Sequence, residues 1–166
     1  MQIDYLPAVK PASIHELKTD LTYLEKEEII AICVRLAKYK KENKELLNYI
    51  LRESENEDAY ISALKQEISE QFASMNTSSV YLAKKSLRKV LRYVDRFVKY
   101  SGKKETEIEL RIHYCLELKN SGIPISRSVL IQNIYNRQIE KIQKCLELIH
   151  EDLRYDFVQI MRDEEL

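Results

Sequence analysis

The chain is 166 residues long, 33% charged and 45% hydrophobic, with 27 basic residues balanced by 27 acidic ones. That length supports a core without disulfide or metal staples, and no window approaches the roughly 18 apolar residues that a membrane span requires. Two glycines and three prolines leave few positions for tight hairpins and no glycine-rich loop to cradle a phosphate.

In chain order, residues 1–12, with Pro7 and Pro11, read as an extended N-terminal arm. They lack the basic-then-apolar order of a signal peptide, so a cytoplasmic protein is expected. Capping boxes mark helix starts at Ser13–Glu16, Thr22–Glu25 and Thr106–Glu109, where hydroxyl and carboxylate satisfy orphan N–H groups reciprocally. Asn43, Asn56, Thr77 and Ser126 are further N-cap candidates. Gly102 and Gly122 follow apolar runs, where a residue in left-handed conformation ends a helix.

The spacing predicts helices near 13–21, 24–40, 44–54, 57–74, 78–100, 106–120 and 126–162. Apolar residues recur at helical intervals, as in Ile29, Ile32, Cys33 and Leu36 or in Ile61, Leu64, Ile68 and Phe72. No stretch alternates strictly, so no strand is expected. The fold class is therefore all-α, with 1–166 as a single helical domain. Its antiparallel hairpins can stack as an irregular HEAT- or armadillo-like array or close into an up-and-down bundle. Hairpins starting near 24, 57 and 106 follow no fixed period that would separate the two.

Charge is strongly segregated. Between Thr77 and Lys104 stand nine basic residues and one acid, Asp95, in a chain that is neutral as a whole. On a helical wheel, Val80, Ala83, Leu87, Val90, Leu91, Val94, Phe97 and Val98 form one apolar arc. Lys84, Lys85, Arg88, Lys89, Arg92, Arg96 and Lys99 fill a separate cationic arc that contains Tyr81. Leu82, Tyr93 and Tyr100 make a third, narrower stripe. Pairs such as Lys84–Arg88 and Arg88–Arg92 repel at i,i+4. Folding alone does not require that repulsion. Neutralisation by the acidic helix 57–74, an acidic protein surface and a nucleic-acid backbone are the competing accounts. The acids Glu55, Glu57, Asp58, Glu67 and Glu70 cannot all face one neighbour, so several cations should remain exposed. A neutral net charge weighs against nucleic acid.

The last predicted helix carries Ile131, Tyr135, Ile139, Ile142, Leu146, Ile149, Leu153, Phe157 and Ile160 along one stripe. A straight helix of that extent would be roughly 50 Å long. Either it bends near Asp152–Asp156 and packs on its own chain, or its exposed part pairs with a second copy as a homodimer.

Motifs that carry chemistry are missing. The chain has one Glu-x-x-His, Glu147 to His150, where a di-metal bundle needs two, so no metal or cofactor is expected. His113 lies between Glu109 and Glu117 and reads as paired along its own helix; His15 sits in a capping sequence. Cys33, Cys115 and Cys145 read as buried free thiols. Eleven tyrosines read mainly as boundary packing, with rings buried and hydroxyls wet. The expected function is a non-catalytic protein-interaction module whose partner-binding surface is the cationic arc, facing an acidic protein. A nucleic-acid-associated accessory protein is the alternative, and an enzyme with an unrecognised site comes third.

Overall fold

The computed structural model describes residues 11–166, and all but Pro11 and Ala12 of the expected N-terminal arm lies outside them. Eight α-helices and two 3-10 turns make up the described residues, with no strand among them. The protein is all-α. No helix is long and apolar enough to cross a membrane among the described residues.

The chain divides at Leu47–Asn48 into two compact units. The first holds α1 (Ile14–Thr22), α2 (Lys26–Tyr39) and the start of α3 (Lys41–Leu51). Ser13 and Glu16 form the expected capping box. The second box is shifted: Thr22 ends α1, and Glu25 with Glu28 caps α2 instead. Asn43 is not a cap but lies inside α3, where its amide donates to the Leu36 carbonyl at 2.9 Å. None of the described residues of this unit is buried. Ile32 and Leu36 of the expected α2 stripe are exposed, while Ile29 and Cys33 are half-buried, so Cys33 departs from the expected buried thiol.

The second unit contains the end of α3, then α4 (Glu57–Ala73), α5 (Val80–Ser101), α6 (Lys104–Asn120), α7 (Val129–Leu146) and α8 (Glu151–Asp163). Helix α6 packs against α4, α5 and α7 and buries residues on several of its sides, although charged side chains are interspersed with the apolar ones. Ile108, Leu110, Tyr114, Cys115 and Leu118 are fully buried. The expected stripes of α4 (Ile61, Leu64, Ile68, Phe72) and α5 (Ala83, Leu87, Val90, Val94) line the core with them.

Caps explain most boundaries. Asn56 accepts from the Ala59 N–H at 3.1 Å and starts α4. Ser79, not Thr77, caps α5 by accepting from the Leu82 N–H at 3.2 Å. Gly102 ends α5 at φ 68°, a conformation that other residues adopt with strain. Thr106 is not an N-cap: α6 begins two residues earlier, and Thr106 is buried in its first turn. Ser126 lies in a 3-10 turn, with Ser128 at the start of α7.

The expected helix 126–162 is two helices. It breaks at Glu147–His150, earlier than Asp152–Asp156. The Arg154 guanidinium reaches back to the carbonyls of Leu146 at 2.7 Å and Glu147 at 3.4 Å, satisfying acceptors that the end of α7 leaves open. His150 Nδ1 accepts from the Asp152 N–H at 3.3 Å and starts α8. Ile131, Ile142, Leu146, Ile149 and Phe157 of the long stripe are buried against their own chain, whereas Leu153 and Ile160 stay exposed.

Candidate functional site

Helix α5 presents its core face through Leu87, Val90 and Val94 and turns the other side outward. Lys85, Arg88, Lys89, Arg92, Lys99 and Tyr81 are exposed, and Lys84 is half-buried. Among the described residues, none of these six cations forms an ion pair. Three of the α4 carboxylates have other partners: Glu57 takes Lys103 at 2.9 Å, and Glu67 and Glu70 accept from Gln71 and Gln66 of their own helix.

Arg96 stands apart from the other arc residues. It is half-buried, with its guanidinium carbon 4.9 Å from the Phe97 ring centroid and 5.8 Å from that of Tyr93. Those rings join an aromatic run in which Phe97 meets Tyr60 at 6.4 Å and Tyr60 meets Tyr49 at 4.8 Å. Arg96 therefore contributes stacking as well as charge.

Asp95, the one acid of α5, is held by an ion network centred on Arg111 of α6. Arg111 is only 3% exposed and donates to Asp95 Oδ1 at 2.7 Å, to Glu107 Oε1 at 2.9 Å and to Gln138 Oε1 at 2.7 Å. Lys141 of α7 reaches the same Asp95 oxygen at 3.3 Å. Burial alone would raise the Asp95 carboxyl, but Arg111 and Lys141 hold it below its ordinary range. The network fixes α5, α6 and α7 to one another.

The outcome is an open groove of about 350 Å³ between α5 and α7. Arg88 and Arg92 line it from α5, and Arg137 and Lys141 from α7. Leu91 and Ile134 lie with them, and Asp95 and Gln138 complete the lining. Arg137 and Lys141 are absent from the sequence-based site. Their i,i+4 spacing marks a shared face, but only the packing of α7 against the rest shows where that face points.

A second cluster carries the residue types of hydrolytic chemistry. Ser69 Oγ donates to Glu117 Oε1 at 2.7 Å and lies 2.9 Å from His113 Nε2. The same nitrogen is 3.0 Å from the Lys65 carbonyl, which can only accept, so Nε2 carries the proton. A protonated Nε2 cannot take the serine proton. Burial keeps His113 below its ordinary value, partly opposed by Glu117. Of the two expected partners, Glu117 lies 3.6 Å from His113 Nε2, an ion pair only when the ring is protonated, and Glu109 goes to Lys65 at 2.7 Å instead.

Glu147 and His150 face solvent, and no group of three or more potential metal ligands occurs among the described residues. Cys115 and Cys145 are buried free thiols; burial pushes Cys115 up to about 12 and raises Cys145 as well, so neither is a ready nucleophile. Compared with family models, curated proteins and solved structures, the chain matches none of them.

Proposed function

We propose that the protein is a non-catalytic interaction module whose cationic α5 face receives an acidic protein partner. The observation that carries this reading is the set of six α5 cations, Lys84, Lys85, Arg88, Lys89, Arg92 and Lys99, that make no ion pair among the described residues. Like charges at i,i+4 cost a few tenths of a kcal/mol per pair, which an opposing anionic surface would convert into attraction. Unpaired surface charge of one sign mainly steers association and selects partners. Tyr81, 71% exposed within the arc, adds a ring able to pack on such a partner. The arrangement at Ser69 and His113 gives no activated nucleophile, which favours a binding role over an enzyme.

The test is reversal of Arg88 and Arg92 to glutamate. The double variant should keep its helical circular dichroism and melt within about 1 kcal/mol of wild type, because neither side chain is paired with another described residue. Binding of a labelled glutamate-rich peptide should fall by about tenfold or more and should weaken with salt in the wild type. Binding that is unchanged in the double variant would overturn the assignment. Arg96→Glu should behave differently and lower the melting temperature, since it removes the stack on Phe97 and Tyr93.

A further inference from the structure

The cationic face does not stop at α5. Across the groove, Arg137 and Lys141 of α7 stand opposite Arg88 and Arg92. Each pair is spaced one helical turn, about 6 Å along its axis. Between the two rows lie Leu91, half-buried, and Ile134, buried. The groove thus has a short floor of Leu91 and Ile134, joined by the polar Asp95 and Gln138, with a cationic row from each helix as its walls. Arg111, Asp95, Glu107 and Gln138 hold those walls together from beneath. Among the described residues Arg137 makes no ion pair, and Asp95 is already satisfied by Arg111 and Lys141.

We infer that this groove docks an acidic amphipathic helix of a partner protein, with the partner's apolar stripe on Leu91 and Ile134 and its flanking carboxylates on the two basic rows. The inference rests on the reading of α5 as an acidic-partner surface and adds α7 to it. Charge complementarity selects the occupant. A helix with an apolar stripe bordered by carboxylates one turn apart matches both the floor and the spacing of the walls. Single-stranded nucleic acid fits less well. Among the described residues, no aromatic side chain lines the groove to stack a base. Lys85, Lys89 and Lys99 do not line the groove and contribute long-range attraction only.

The experiment uses the full chain and fluorescence anisotropy with three labelled probes. One is a synthetic helix-forming peptide of about five turns, with leucines on one stripe and glutamates on both flanks. The second has the same composition scrambled, and the third is an oligothymidylate of equal charge. Wild type should bind the ordered peptide at least about tenfold more tightly than the scrambled one. Arg137→Glu should weaken that binding by about tenfold, Arg137→Gln by less, and Lys89→Glu by under about threefold. If Arg137→Glu loses helical signal, Arg137→Gln against Lys89→Gln provides the same contrast. Equal losses at 137 and 89, or equal binding of ordered and scrambled peptides, would overturn the groove while leaving the acidic-partner reading of α5 in place. Failure of both peptides to bind, or preference for the oligothymidylate over both, would overturn the two readings together.

Discussion

Arg111 donates to Asp95 across 2.7 Å from a position almost closed to solvent, while the aspartate itself stays 47% exposed. The pair is unequal: the cation depends on its partners, whereas the carboxylate retains water. Breaking a buried pair by removing one member is costly because the other charge is left uncompensated. Here the costs differ by partner.

Arg111→Met removes the buried charge itself and strands Glu107 and Gln138. It should lower unfolding free energy by about 3 kcal/mol in urea titrations. Asp95→Asn should cost less than half of that, since Glu107 and Gln138 still hold the guanidinium. Equal losses would show that Asp95 dominates the network.

Glu57 ties together the end of α3, the start of α4, the end of α5 and the start of α6. One oxygen accepts from Ser101 and Thr106, both at 2.6 Å; the other accepts from Tyr49 at 2.8 Å and Lys103 at 2.9 Å. Burial pushes its carboxyl up, but these four donors outweigh burial and hold it at about 2 against an ordinary 4.5. The folded state therefore binds the proton less readily than the unfolded chain. The resulting stability is full above pH 4.5 and lost as pH falls toward 2. Glu57→Gln should cost about 2 kcal/mol at neutral pH and flatten the stability profile across that window, as read by urea midpoints.

His113 acts in a higher window with the same sign. Its folded value lies below the ordinary 6.5, so the unfolded chain takes up the proton first and stability declines as pH drops below 6.5. Ser69, the Lys65 carbonyl and Glu117 are the groups around it, and Glu117 limits the effect by favouring the charged ring. His113→Gln keeps a donor for the Lys65 carbonyl and removes the titration. Melting temperatures measured between pH 7 and 5.5 should slope less in the variant than in wild type.

Tyr49 and Tyr60 meet ring to ring at a tilt of 50° but differ at their hydroxyls. Tyr49 donates to Glu57, whereas the Tyr60 hydroxyl is buried with no hydrogen-bond partner among the described residues. Tyr60→Phe should leave stability unchanged or raise it by about 1 kcal/mol, and Tyr49→Phe should lower it by a similar amount. Thermal melts of the two single variants read the contrast directly.

The sequence carries the local structure more fully than the packing. Ser13, Asn56 and Gly102 mark helix ends because a cap is a contact between near neighbours. The α5 wheel separates a core face from a charged face because α5 is one-sided. Helix α6 has no such asymmetry, since it meets neighbours on several sides, and its central place is not visible in its spacing. The break at 147–150 has neither glycine nor proline. It rests on Arg154 reaching eight residues back to Leu146. Half of the candidate groove is hidden for the same reason: Arg137 and Lys141 become neighbours of Arg88 and Arg92 only once α7 has docked.

The buried guanidinium also constrains the order of assembly. Asp95 and Glu107 come from adjacent helices, so an α5–α6 hairpin can satisfy two sides of Arg111 early and at small loop-closure cost. Gln138 closes the third side only when α7 arrives. Until then Arg111 must stay wet, and the inner face of α6 cannot dry around it. The desolvation of one side chain thus couples the final docking of α7 to completion of the core. Fraying of α7 should accordingly expose Arg111 and its partners together, making the opening of this region a single kinetic event.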